Sequence, residues 1–240
     1  MRCYCDKSLA DIVIHDAGSV PILEKYSLDF SCKGSKTLRQ ACREKSIQVE
    51  MVASELKCMK AVGEEGLPFD KLSLASLANY IVHTHHDYLR EQLPGMRKEL
   101  ERLIEVNGWR IPILYRVLQS FRDLEAELTR HLNTEENLIF PRIREIEYLA
   151  SGCNSEGRPR DIDMLSAPLG LLHEQHENSD RVMMELLNQC LELSVDKECG
   201  GLLKNFTASL KALRTDIHQH MHLENNVLFP RASKLSELIN

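Results

Sequence analysis

The 240-residue chain has no apolar run approaching the roughly 18 residues that a helical membrane span needs. Its N-terminus also lacks the order of basic, apolar and small residues that marks a secretory signal, so a cytoplasmic protein without membrane attachment is expected. Aromatic residues make up only 5% of the chain, and Gly (11) and Pro (8) are few and sit mostly where helices would end. With Leu, Glu, Lys and Arg abundant, that composition favours an all-α fold. A strong excess of one charge is missing too: 30 Lys and Arg against 36 Asp and Glu give a net charge of -6, interspersed along the chain. Without a basic stripe, no nucleic acid partner is expected. Eight cysteines are present but scattered, with no framework of a small secreted domain, so reduced thiols are expected. Cys3 and Cys5 form a C-x-C pair at the terminus and read as two ordinary thiols.

What the chain does have is a repeat. His131, Glu135, Asn137, Phe140, Pro141 and Arg142 return 89 positions later as His220, Glu224, Asn226, Phe229, Pro230 and Arg231. A second pair of motifs, His83 to Asp87 and His173 to Glu177, reads H-x-x-H-[DE] at an offset of 90. Residues 70 to 149 and 164 to 240 thus read as two copies of one helical hairpin, and two hairpins make a four-helix bundle. Four residues advance a helix by about 400°, so each His and its Glu share a face one turn apart. That face continues through Leu124, Leu128 and Leu138 in one copy and through Leu213, Ile217 and Val227 in the other. The polar pairs are therefore carried inward, where a carboxylate is costly unless a metal or a partner charge offsets it.

The donors selected by the repeat are His86, His131, Glu135, His176, His220 and Glu224. They divide as two imidazoles per metal with both carboxylates bridging, which leaves open coordination positions. Iron suits such mixed donors best; manganese and zinc accept them less specifically. A buried His/Glu ion-pair cluster is the competing reading. His218 and His222 fall about 160° to 200° from His220 and are expected to be solvated. His85, one residue off the repeat, and His15, without a partner by spacing, read as bystanders. His83 and His173 share the ligand face, and packing, support of a ligand and ligation all stay open for them.

Ahead of the repeat, four short apolar faces are expected to be helices packed on one another: Leu9, Ile12 and Val13; Val20 to Leu23 with Tyr26; Leu38, Ala41 and Cys42; and Val49, Val52, Ala53 and Leu56. Ser35 is an N-cap candidate, which would put Cys32 on an exposed turn by a helix start, where a thiol pKa can fall; an ordinary cysteine is the alternative. Gly63 to Pro68 reads as a linker and residues 150 to 163 as the loop between hairpins. Ser73 is expected to cap the first bundle helix, Pro94 to kink or break it, and Pro141 to stop or bend the second. The expected division is a small helical domain over 1–62, a linker over 63–69 and the bundle over 70–240.

HHDYLREQLP at 85–94, HLNTEENLIFP at 131–141, HEN at 176–178 and HMHLENNVLFP at 220–230 resemble the hemerythrin-like domain of the repair-of-iron-centres family. DFSCKG at 29–34 resembles the cysteine turn of that family's small leading domain, so the resemblance covers nearly the whole chain. It implies two non-haem iron ions, an oxo- or hydroxo-bridged di-iron centre on the six residues named. It further implies repair of iron-sulfur proteins damaged by nitric oxide or peroxide, by supply of iron, with nitric oxide or dioxygen as small ligands, and it is compatible with a homodimer. Cys32 would be the reactive thiol, although Ser31 stands where the family has the first of two cysteines. An oxygen or nitric oxide binding or sensing module is the alternative function.

Overall fold

The computed structural model describes residues 4–60, 68–152, 166–193 and 200–239. Cys3, most of the linker and most of the loop expected over 150–163 lie outside the described residues. Among those residues the chain is helical, with a single isolated antiparallel bridge between Ser8 and Thr37. None of these helices is long and apolar enough to cross a membrane. The chain forms two compact units, one of Met1–Ala78, Ile146–Ile162 and His218–Asn240, the other of Asn79–Glu145 and Asp163–Ile217.

The first unit opens with four short helices, α1 (Leu9–His15), α2 (Val20–Lys25), α3 (Leu38–Glu44) and α4 (Val49–Lys60). Each is too short to persist alone, so the apolar faces must cover one another. They do: Leu9, Ile12, Val20, Leu23, Leu38, Cys42, Val52 and Leu56 share one buried cluster with Phe30. Ser8 caps α1 by accepting the Asp11 N–H at 3.0 Å. The cap of α3 is Thr37, which corrects the expectation of Ser35: Thr37 and Gln40 form a reciprocal capping box, satisfying two of the orphan donors at the helix start. Lys25 and Tyr26 both donate to Glu55, which ties α2 to α4 and holds that half-buried carboxyl below its usual range.

The same unit contains the starts and ends of longer elements. α5 (Leu74–Ile81) is opened by Ser73, whose hydroxyl accepts the Ser76 N–H, and by Glu147 of α8 (Phe140–Ala150). The Glu147 carboxylate accepts the Leu74 N–H at 2.6 Å and the Ala75 N–H at 2.9 Å, so an anion sits on the positive end of α5. Glu147→Ala is expected to lower unfolding free energy by about 2 kcal/mol, within the range for losing a charged cap. Urea unfolding checks this, and a change below about 0.5 kcal/mol would assign the cap to Ser73 alone. Arg231, in α11 (Phe229–Ile239), donates to the Phe69 and Leu72 carbonyls just before α5.

The second unit is built on α6 (Asp87–Asn107), α7 (Ile113–Thr134), α9 (Ser166–Leu193) and most of α10 (Gly200–Leu223). Apolar residues recur at helical spacing along each: Leu89, Leu93, Met96 and Leu100; Leu114, Val117, Phe121, Leu124 and Leu128; Met183, Leu186 and Cys190; Leu203, Phe206, Leu210 and Leu213. α7 packs on both α6 and α9, Phe121 meets Phe206 edge-on at 5.8 Å, and Arg214 of α10 reaches Asp180 of α9 at 3.2 Å. The result is a four-helix bundle with a continuous apolar interior. Pro94 lies inside α6 without ending it, and burial pushes the Cys190 thiol up to about 11.

Candidate metal centre

Three turns of these helices are widened to π geometry, Val82–His86, Glu135–Ile139 and Glu224–Leu228. In each, the N–H after the turn reaches back five residues: Asp87 to Val82, Phe140 to Glu135 and Phe229 to Glu224. Two of the three run straight into the repeated Phe-Pro, and a proline ring, which clashes with the carbonyl four residues earlier and offers no N–H, favours such local widening. His86 closes one π turn, while Glu135 and Glu224 open the other two. One extra residue per turn also re-aims the side chains beyond it. Ile139 is buried and Leu138 is 59% exposed, which corrects the expectation that Leu138 continues the inner face.

In the second unit His86, His131, Glu135 and His176 converge. Glu135 Oε2 lies 3.4 Å from His86 Nε2, and Glu135 Oε1 lies 3.2 Å from His131 Nε2 and 4.0 Å from His176 Nε2. The Nε2 atoms of His131 and His176 are 3.0 Å apart. The other faces of two rings are fixed: His86 Nδ1 lies 2.7 Å from Glu136 Oε1 and His131 Nδ1 lies 3.0 Å from Gln175 Oε1. His86 also stacks on Phe140. In the first unit, His220 Nε2 lies 2.8 Å from Glu224 Oε1.

Taken as donor sets, the structure has two groups whose ligand atoms all lie within 4.8 Å of one another. One is His86, Glu135, His220 and Glu224; the other is His131, Glu135, His176 and Glu224. Both carboxylates belong to both groups, and both are 0% exposed. Facing imidazole nitrogens with shared buried carboxylates offer lone pairs to a common point, the arrangement that hard-to-borderline cations take. The cluster fits a di-iron site.

The remaining histidines separate cleanly from the two groups. His83 is exposed beside Asp87, His173 is half-buried, and His15 is exposed on its own helix's carbonyl at Asp11. His85 is buried, with Nδ1 2.9 Å from Asp216. His218 and His222, expected to be solvated, are buried at 4% and 2% exposure. His218 pairs with Glu24, and Phe30 sets its edge against both rings at 5.8 Å. Burial pushes the His222 imidazole down to about 4, with the Phe30 carbonyl opposing, so it is neutral at physiological pH. The face that leads away from the bundle interior is thus covered by the N-terminal segment. One signal was available: positions equivalent to the exposed Thr129, Arg130 and Asn133 are His218, Gln219 and His222, none of them a Lys, Arg, Asp or Glu.

Cys32 lies in the turn that provides this cover. Asp29 Oδ1 accepts both the Cys32 N–H at 2.9 Å and the Ser31 hydroxyl at 3.0 Å, which closes the turn locally. Ser31 is buried and Cys32 half-buried, with Thr37 as the α3 cap, so Cys32 is not at a helix start as the sequence suggested. Asn226, within the third π turn, donates to the Ser31 carbonyl at 3.0 Å and the Phe30 carbonyl at 3.2 Å. A Cβ at Gly34 would overlap the Asn226 amide and the Phe30 carbonyl, so the close approach requires glycine.

A helical bundle with buried His/Glu donor groups defines a cation-binding protein of the hemerythrin class. Residues 77–232 match the family described as Hemerythrin HHE cation binding domain, and residues 5–60 match a Domain of Unknown function (DUF542). The iron-sulfur cluster repair protein YtfE of Pectobacterium carotovorum subsp. carotovorum (strain PC1) is 26% identical over 232 residues, 95% of this chain and 97% of the relative. A probable iron-sulfur cluster repair protein of Haemophilus influenzae is 26% identical over 234 residues with the same coverage. YtfE of Escherichia coli O17:K52:H18 is 25% identical over 231 residues, again covering 95% and 97%. The chain belongs to the hemerythrin HHE family and, within it, to the repair-of-iron-centres proteins.

Proposed function

We propose that the chain repairs iron-sulfur clusters damaged by nitrosative or oxidative stress, by supplying iron from a two-iron store. The observation that carries this is the pair of donor groups sharing Glu135 and Glu224, with only two imidazoles and two carboxylates to each. His86 and His220 would hold one ion, His131 and His176 the other, and Glu135 and Glu224 both. Iron bound there supplies exchangeable metal and redox chemistry. Four donors per ion leave positions that an acceptor ligand or nitric oxide can take, which favours release over permanent storage. Cys32, half-buried on its turn, would act as the thiol that meets leaving iron; with Ser31 beside it, a single thiolate and not a vicinal pair has to serve. In this reading residues 1–62 are the thiol domain, 63–69 the linker and 70–240 the iron-bearing bundle, working in the cytoplasm.

The test is reactivation. The protein loaded anaerobically with ferrous iron is expected to restore activity to a hydratase whose [4Fe-4S] cluster has been destroyed by nitric oxide, while the apo-protein and an equal amount of free ferrous iron restore much less. Loaded protein that leaves the hydratase inactive would refute iron supply.

A further inference from the structure

We propose that the two metal positions hold iron unequally and that the ion on His131 and His176 is the one delivered. This rests on the di-iron reading above and deepens it by naming the exchangeable half. The ring of His86 turns Nε2 toward Glu135 and Nδ1 toward Glu136, at 2.7 Å. The ring of His131 turns Nε2 toward Glu135 and Nδ1 toward Gln175, at 3.0 Å. Both Glu136 and Gln175 present an oxygen acceptor, so with metal on Nε2 each ring would carry its proton on Nδ1. What accepts that proton differs between the two.

A carboxylate accepts a charge-assisted bond that draws the proton away from the ring and makes Nε2 a stronger donor. An amide carbonyl is neutral and does this more weakly. Arg90, 2.8 Å from Glu136, holds the carboxylate in place without removing its charge. His86 belongs to one donor group and His131 to the other, so one group holds a ring backed by an acid and the other a ring backed by an amide. Partners of this kind are typically worth 10- to 100-fold in metal affinity. Two otherwise matched halves of a duplicated site would differ by that factor in the rate at which they lose iron.

The experiment is release of ferrous iron from the anaerobically reconstituted protein to an excess of a chromogenic ferrous chelator, followed by absorbance. Two phases of equal amplitude are expected. Gln175→Glu is expected to slow the fast phase by about 10- to 100-fold and leave the slow one, whereas Glu136→Gln speeds the slow phase by a similar factor. Mössbauer spectra of samples loaded with ⁵⁷Fe are expected to show two quadrupole doublets, of which one disappears after the fast phase. Thermal melts of the apo-variants show that each is folded. A single phase for both ions overturns the proposal, as does a fast phase unmoved by Gln175→Glu in a protein that binds two. Wild-type protein that never takes up a second ion overturns the di-iron reading as well.

Discussion

Glu135→Gln is expected to lose metal from both groups at once while raising the thermal stability of the apo-protein. The first half follows from the donor sets, since Glu135 is a member of each and one substitution removes an anionic ligand from both. His131→Ala, by contrast, removes a donor from one group only and should leave one metal position working. The affinity loss for Glu135→Gln should exceed the roughly 100-fold that marks the upper end for loss of a supporting partner. The second half follows from burial. At 0% exposure and within 4.0 Å of three imidazoles, this carboxylate is costly to keep ionised when no cation is bound. An amide of the same shape removes the charge, and the imidazoles beside it can be neutral, so the apo-variant should gain about 1–3 kcal/mol. The ion-pair reading predicts the reverse. If Glu135 were there to pair with charged histidines, breaking the pair would destabilise the apo-protein by about 3–5 kcal/mol. Melting curves of both proteins with and without ferrous iron, together with metal analysis, separate the two, and a less stable apo-variant would sink the metal-ligand assignment.

The halves of the bundle were legible because duplication leaves a mark that needs no geometry: the offsets of 89 and 90 pick out His86, His131, Glu135, His176, His220 and Glu224, and the structure brings these six into two groups. The four N-terminal apolar faces were legible for a simpler reason, since residues such as Leu9, Leu23, Leu38 and Leu56 repeat at helical spacing and all end in one core. What failed were arguments that extended an ideal helix past its π turns or assumed that a non-core face meets water. Leu138 went wrong where the inner face passes to Ile139, while Val227, at the matching place in its own π turn, is buried as expected. His218 and His222 went wrong on the second count. A helical wheel reports direction from the axis, not what stands there, and here Glu24 and Phe30 stand there. Thr37, not Ser35, caps α3 because its Gln40 completes a reciprocal pair that Ser35 has no residue to make.

Phe30→Ala is expected to cost about 3–5 kcal/mol of stability, the range for deleting a buried aromatic ring, and to free the Cys32 turn without stripping metal from the bundle. Phe30 is 0% exposed, belongs to the N-terminal core, and faces the rings of both His218 and His222. Its loss therefore opens a void on two sides. The turn then rests on the Asp29 bonds to Ser31 and Cys32, the Ala10 N–H to the Gly34 carbonyl and the Asn226 bonds to the Phe30 and Ser31 carbonyls, the last two worth only about 1–3 kcal/mol together. Phe30→Leu keeps much of the volume and should cost clearly less. Because neither donor group includes Phe30, His218 or His222, ferrous iron content should stay at the wild-type level in both variants, just as it should in His222→Ala. Alkylation with iodoacetamide, read by mass spectrometry of peptides, reports the turn directly: Cys32 should react faster in Phe30→Ala, while Cys190, buried and with its thiol raised to about 11, stays protected until global unfolding. An unchanged Cys32 rate in a variant destabilised as expected would mean that the Asp29 bonds and the Asn226 contacts hold the thiol without Phe30, and that Phe30 serves the core alone.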